Sequence, residues 1–271
     1  MSSRIKAGSV EIGGNTPLAL IAGPCVIESR KECLKIAGSL AKWAREESVP
    51  FIFKASYDKA NRSSVKSFRG PGLTKGLEIL QEVRDRYGVP VLTDVHNEGE
   101  AALVRDSVDI IQIPAFLCRQ TDLLLAAGQT MKPVNVKKGQ FLSAAEMTNV
   151  IEKITSTGNN RILLTERGNC FGYNELVMDM RNIARLSALK YPVVVDATHG
   201  VQRPGAAGSR SSGESNMAPV LARAGVAAGC DAVFLECHSA PKRSMSDPDT
   251  SLSLTRVKKL YEVLRKIHEV A

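Results

Sequence analysis

Between residues 53 and 64 an apolar run gives way to Lys54, Lys59 and Arg62, interleaved with Ser56, Tyr57, Asn61, Ser63 and Ser64. Cations among short hydrogen-bond donors are what a pocket wall needs to hold a phosphorylated substrate, with lysines as point charges and arginine as a planar fork. The same composition also describes a solvated basic loop, so the reading depends on what else converges there. Lys137 and Arg167 end two further apolar runs. Together with Lys54 and Lys59 they can surround one ligand, but four cations in one pocket repel unless something anionic occupies it. A compact substrate carrying phosphate and carboxylate meets that condition. Asn61, Arg62, Ser63 and Ser64 then read as a second, separate phosphate site. Lys138 points opposite to Lys137 along its strand, which suits a structural role or a surface ion pair.

Cys25, His199, Glu236 and Asp247 form another constellation. One thiolate, one imidazole and two carboxylates suit Zn²⁺, Fe²⁺, Mn²⁺ or Co²⁺ with room for water or substrate. Each residue alone has a plainer account: Cys is commonly a small buried hydrophobe, His a satisfied core group, and a loop Asp a solvated one. His238 competes with His199 for the role of imidazole ligand, and Cys237 faces away from Glu236 across its strand.

These residues need a scaffold that gathers distant positions. Eight apolar, β-rich segments recur at residues 18–25, 50–56, 90–96, 110–115, 133–138, 162–168, 192–199 and 232–238. Helical periodicity lies between and after them at 31–47, 73–87, 120–128, 144–155, 175–188, 217–228 and 254–269. Strands alternating with helices imply parallel pairing, and eight such units predict a (β/α)8 TIM barrel forming one catalytic domain over residues 1–271. A short hairpin around residues 10–15 precedes it. A doubly wound open sheet is the alternative, but no GxGxxG follows the first strand. Each segment starts apolar and turns polar at its end, so Cys25, Lys54, Asp94, Gln112, Lys137, Arg167, His199 and Glu236 would meet at the C-terminal mouth. An unpaired buried polar group costs about 1–3 kcal/mol, so eight of them argue for a shared purpose.

At 271 residues, 44% hydrophobic and 24% charged, the chain has the composition of a globular protein with a sizeable core. The first ten residues contain no apolar h-region, and no run approaches the ~20 apolar residues of a membrane span, so a cytoplasmic protein without membrane partners is expected. The net charge of +8 is spread along the chain, aromatic content is 5%, and no helix-turn-helix, RNP or zinc-finger spacing occurs. Anionic small molecules therefore fit better than nucleic acid. Six cysteines without a CxxC pair point to reduced thiols.

The motifs, in chain order, are Ala22-Gly23-Pro24-Cys25, the run from Lys54 to Ser64, Ser67-Phe68-Arg69-Gly70-Pro71-Gly72, Thr93-Asp94-Val95-His96, and the stretch from Gln112 to Gln120. Asn135-Val136-Lys137-Lys138-Gly139-Gln140-Phe141, Glu166-Arg167-Gly168, Phe171-Gly172-Tyr173-Asn174, Asp196-Ala197-Thr198-His199 and Ser246-Asp247 follow. Essentially end to end, the chain resembles the 3-deoxy-D-manno-octulosonate 8-phosphate synthases, which join phosphoenolpyruvate to arabinose 5-phosphate. The related erythrose 4-phosphate synthases of the shikimate pathway carry Lys-Pro-Arg-Thr where this chain has Lys59-Ala60-Asn61-Arg62-Ser63.

The resemblance implies Lys59, Lys137 and Arg167 on phosphoenolpyruvate, Lys54 as a candidate proton donor, and Asn61, Arg62 and Ser63 on the sugar phosphate. It places Asp94 on the sugar hydroxyls, and Gln112, Ala115 and Phe116 also in the substrate site. His199 serves among both the metal ligands and the catalytic residues. Cys25 and Ser246-Asp247-Pro248 resemble the metal-dependent class, whose divalent metal would sit on Cys25, His199, Glu236 and Asp247. A homotetramer is implied, with Phe116 and Arg119 near the neighbouring subunit. The stretches 211–216 and 238–241 depart from the family pattern, which bears on loop closure and metal affinity. A sialic-acid-type synthase and a catalytically silent barrel are the other readings.

Overall fold

The computed structural model describes residues 2–62, 64–171, 173–204 and 212–271. Ser63, Gly172 and Ser211 lie outside the described residues. Eight parallel strands form a closed barrel: β1 (Ala19–Gly23), β2 (Phe51–Lys54), β3 (Val91–Asp94), β4 (Ile110–Ile113), β5 (Val134–Lys137), β6 (Ile162–Glu166), β7 (Val193–Asp196) and β8 (Ala232–His238). Each pairs with its sequence neighbour, and β8 returns to β1 through Ala232–Ala19 to Glu236–Gly23, which leaves no barrel edge open. The helices are α1 (Arg30–Glu46), α2 (Leu73–Tyr87), α3 (Glu98–Val104), α4 (Thr121–Gln129), α5 (Met147–Thr155), α6 (Arg181–Ser187), α7 (Ala218–Ala227) and α8 (Leu254–His268). The expected (β/α)8 barrel is the observed one.

Local chemistry sets the helix boundaries. Ser29, Asn97 and Ser253 accept hydrogen bonds from the backbone N–H three residues on, at the starts of α1, α3 and α8, satisfying amides that a helix start leaves bare. Gly88 ends α2 in the left-handed region at φ 67°.

Alternation along each strand divides the core in two. Outward residues such as Leu20, Phe53, Val136 and Val195 pack under the helices. Inward residues Ile21, Ile52, Leu92, Leu163, Val194 and Phe234 fill the barrel with the N-terminal hairpin's Ile5, Ala7, Val10 and Ile12. Two residues further along the same strands, the inward positions become Lys54, Asp94, Thr165, Asp196 and Glu236. The interior is thus apolar at the hairpin end and polar at the other.

The structure corrects two boundaries and adds one helix. The hairpin pairs Ile5–Ala7 with Val10–Ile12, so it turns at Gly8 (φ 56°) and Ser9 and not at Gly13-Gly14. Residues 175–188 are helical only over Arg181–Ser187, because Leu176–Val177 pairs with Asn169–Cys170 as a small ribbon. The seven-residue α3 was not anticipated, being too short to display helical periodicity.

Candidate active site

A cavity of about 600 Å³ opens at the C-terminal ends of the strands, lined by Lys54, Lys59, Asn61, Arg62, Asp94, Gln112, Ala115, Phe116, Lys137, Arg167, His199 and Asp247 among others. Cys25 and Glu236 lie just beneath it, both 1% exposed. The Phe234 ring is the floor. Lys137 Nζ stands 3.2 Å from its centroid, Lys54 Nζ 5.6 Å, and the His199 ring is tilted against it at 5.7 Å. Cations over an aromatic face in a dry site gain electrostatically as well as by packing.

The loop after β2 folds back on itself. Lys59 N donates to Arg69 O, Gly72 N to Tyr57 O, and Arg62 Nε to Phe68 O at 3.0 Å. Gly70 sits at φ 120°, and a side chain there would overlap the Tyr57 carbonyl. This clamp leaves Arg62 Nη2 buried without a partner among the described residues. Arg167, beyond β6, likewise keeps Nη1 buried and unpartnered among them. Two guanidinium nitrogens that are desolvated and unsatisfied are costly unless a ligand meets them.

The other cations are paired within the protein, contrary to the sequence expectation that only a bound anion would offset their repulsion. Lys54 Nζ reaches Glu236 Oε1 at 3.2 Å and Cys25 O at 3.0 Å, and Lys59 Nζ is 3.9 Å from the same Glu236 oxygen. Lys137 Nζ pairs with Asp196, whose Oδ2 also lies 2.6 Å from His199 Nδ1. Burial pushes the Lys137 ammonium down to about 8, with Asp196 opposing the shift. Burial would raise Glu236, but His199, Lys54 and Lys59 draw it down to about 2. Asp196 is held well below the usual range against burial by His199 and Lys137. Asp94 is held down in the same way, by a hydrogen bond from His96 (3.3 Å) and by Lys59 and Lys54. Ser56 Oγ donates to the other Asp94 oxygen.

Gln112 Oε1 accepts from Asn135 Nδ2 at 3.0 Å, which turns its amide nitrogen free of that contact. Ala115 and Phe116 follow β4 on a single 3₁₀ turn, and Phe116 is more than half exposed. Lys138 is not at the surface: it forms a fully buried pair with Glu166 at 3.6 Å on the outer side of β5 and β6 and also donates to Gly139 O and Leu142 O.

Cys25 Sγ, a Glu236 oxygen and an Asp247 oxygen lie within 4.8 Å of one another. Cys25 Sγ approaches Asp247 Oδ2 at 3.0 Å and Ser246 Oγ at 2.8 Å, and Glu236 Oε2 is buried without a partner among the described residues. Burial and then the Asp247 and Glu236 charges raise the Cys25 thiol well above its ordinary value. A divalent cation would reverse that repulsion and give the orphaned oxygen a partner, so the donor set fits one. His199 Nε2 is 3.3 Å from Glu236 Oε1, at the edge of this triad and outside its compact set. His238 is turned away. Its Nδ1 accepts from Ala240 N and its Nε2 faces Glu28 at 3.3 Å. Cys237 packs in the outer core.

Sequence reasoning passed over Asp196, Gln202, Ser246 and His96 as functional residues. Asp196 is in phase with inward Val194 and was the true strand end, so the alternation itself carried the signal. Gln202 lies in a two-residue strand and Ser246 on a loop, both without a periodicity that would mark them.

The family model described as the DAHP synthetase I family matches residues 2–271. Curated relatives include the 2-dehydro-3-deoxyphosphooctonate aldolase of Syntrophotalea carbinolica, 51% identical over 270 residues, covering 100% of this chain and 98% of the relative. The proteins of the same name from Geobacter sulfurreducens and Granulibacter bethesdensis are each 50% identical. They cover 100% and 98% of this chain, and 99% and 93% of the relatives.

Proposed function

The chain belongs to the DAHP synthetase I family, and from that premise we propose that it condenses phosphoenolpyruvate, D-arabinose 5-phosphate and water to 3-deoxy-D-manno-octulosonate 8-phosphate and phosphate. This is the aldol-type step that supplies lipopolysaccharide synthesis. The observation that carries the reading is a pair of guanidinium nitrogens, Arg62 Nη2 and Arg167 Nη1, that have no partner among the described residues and stand on the walls of one cavity of about 600 Å³. Two anionic substrates need two such anchors.

C3 of phosphoenolpyruvate attacks the aldehyde carbon of the sugar while the oxygen of water bonds to C2. The added water gives up a proton, and phosphate then leaves by cleavage of the C2–O bond as the new C2 hydroxyl becomes the carbonyl. Lys59, Lys137 and Arg167 bind phosphoenolpyruvate's phosphate and carboxylate. Lys137, held as an ammonium below about pH 8, stabilises anionic charge from its buried position over the Phe234 ring. Lys54, hydrogen-bonded to Glu236, is placed to give a proton to the oxygen that forms from the aldehyde. Arg62 and Asn61 take the sugar phosphate, together with Ser63. Asp94, kept ionised beside Ser56 and His96, accepts hydrogen bonds from sugar hydroxyls. Gln112, Ala115 and Phe116 complete the substrate wall.

Cys25, His199, Glu236 and Asp247 would hold a divalent metal, Zn, Fe, Mn or Co, placing the chain in the metal-dependent class. Such an ion supplies Lewis acidity toward a carbonyl or lowers the pKa of water. We also propose one catalytic domain over residues 1–271, a cytoplasmic location and a homotetramer whose subunits meet near exposed Phe116 and Arg119. Among the described residues no helix is long and apolar enough to cross a membrane.

Phosphate release measured with arabinose 5-phosphate, erythrose 4-phosphate and N-acetylmannosamine tests the reading. Turnover with the first is expected. A preference for either of the others, or no release with any, would overturn it.

A further inference from the structure

Gln202 follows β7 and is neither a cation nor a metal-binding side chain, yet its amide spans the two halves of the cavity. Arg167 Nη2 donates to Oε1 at 2.9 Å, and Nε2 donates to Asp247 Oδ1 at 3.0 Å. The orientation is forced, since a flipped amide would set NH₂ against the guanidinium and C=O against the carboxylate. An arginine and an aspartate facing each other across a cavity wall would otherwise close into a direct fork-to-carboxylate pair. One amide width keeps them apart. Arg167 therefore keeps Nη1 without a partner among the described residues, and Asp247 keeps Oδ2 turned to the Cys25 sulfur at 3.0 Å. The backbone holds the amide in place. Gln202 N donates to His199 O, and Gln202–Arg203 pairs with Ser212–Gly213 in a two-residue ribbon anchored by Arg203 to Glu214 at 2.6 Å.

We propose that Gln202 is a positioning residue that prevents Arg167 and Asp247 from neutralising each other, and so keeps both the anion-binding and the cation-binding halves of the site available. The inference rests on reading the cavity as a site for phosphoenolpyruvate and a divalent cation. One neutral side chain then sets the affinity for two unrelated ligands, because removing it lets each ligand's anchor become the other's competitor.

The test uses two binding measurements on the full chain: phosphoenolpyruvate to metal-free protein by calorimetry, and Co²⁺ to substrate-free protein by thiolate-to-cobalt absorption. Failure of the unmodified protein to bind either probe would overturn the reading of the site itself. Gln202→Met keeps the length and removes both hydrogen bonds. It should weaken both affinities about tenfold, the size of one hydrogen bond to a charged group, with little change in melting temperature because the residue is on the rim. Loss of only one affinity, or of neither, would make Gln202 an ordinary contact and overturn the proposal. Gln202→Glu should pair directly with Arg167, lowering phosphoenolpyruvate affinity more than about tenfold while leaving Co²⁺ affinity undiminished beside the added carboxylate. Equal losses of both in that variant would contradict the spacer role.

Discussion

Replacing Asp196 by Asn tests whether charge or shape governs the floor of the site. Asp196 is fully buried and pairs with both Lys137 and His199. Asparagine preserves the volume and an acceptor oxygen for His199 but removes the negative charge. Lys137 already sits at about 8 with that charge helping it. Two unit charges ~4 Å apart at an effective dielectric constant of ~20 interact by ~4 kcal/mol. If only a third of that is lost after relaxation, the Lys137 pKa falls by about one unit, since a unit corresponds to 1.36 kcal/mol.

The sign follows from which form binds. The ammonium holds phosphoenolpyruvate, so kcat/KM for this substrate should fall as pH rises through about 8 in the parent, and this profile reports the free enzyme. In the Asn variant the alkaline limb should move down by about one unit. Near pH 8 the protonated fraction of Lys137 falls from about one half to about one tenth, a ~5-fold drop that approaches tenfold at higher pH and vanishes toward pH 6. A coupled phosphate-release assay across the pH range reads both quantities. A variant with a uniform loss and an unmoved alkaline limb would refute the electrostatic argument and assign Asp196 to geometry alone.

Arg62→Ala should raise the KM for arabinose 5-phosphate far more than that for phosphoenolpyruvate, by ~1.5–3 kcal/mol of lost contact, and Arg167→Ala should do the reverse; equal effects on both substrates would show one anion site and not two. A strong chelator should abolish activity, and Mn²⁺, Zn²⁺, Fe²⁺ or Co²⁺ should restore it. Cys25→Asn should lower metal affinity steeply, and its chelator-treated turnover separates an orienting ion from one that activates water; a variant that binds and needs metal as the parent does would remove Cys25 from the ligands. Gly23→Ala should cost both stability and activity, because a methyl group there overlaps the Lys54 carbonyl where β1 meets β2; an unchanged melting temperature and rate would contradict that packing.

The barrel was legible because its strands announce themselves twice, by apolar runs and by the polar residue that ends each run. Lys54, Asp94, Gln112 and Lys137 were found this way, since the alternation that buries Ile52 or Leu92 also carries the next inward residue to the mouth. What pairs with what was not legible. Lys137 and Asp196 are 59 positions apart, and nothing in either segment signals that a cation expected to wait for substrate is already satisfied. Arg62 was visible as a charge, but its free nitrogen depends on Phe68 O and on the fold-back of a loop. Gln202 gave no signal, because a neutral side chain in a two-residue strand has no pattern to break.

The buried Lys138–Glu166 pair stands back to back with Lys137 and Arg167 where β5 and β6 end. A slip of β5 by one residue would still put a lysine in the cavity, so charge alone would not penalise that error. The same slip in β6 would exchange Arg167 for Glu166 and turn an anion receptor into a repellent surface. The outer pair guards against both mistakes, because either slip strands one buried charge without the other, at a cost of ~3–5 kcal/mol. It acts as a proofreading device for strand alignment, fixed before any substrate arrives.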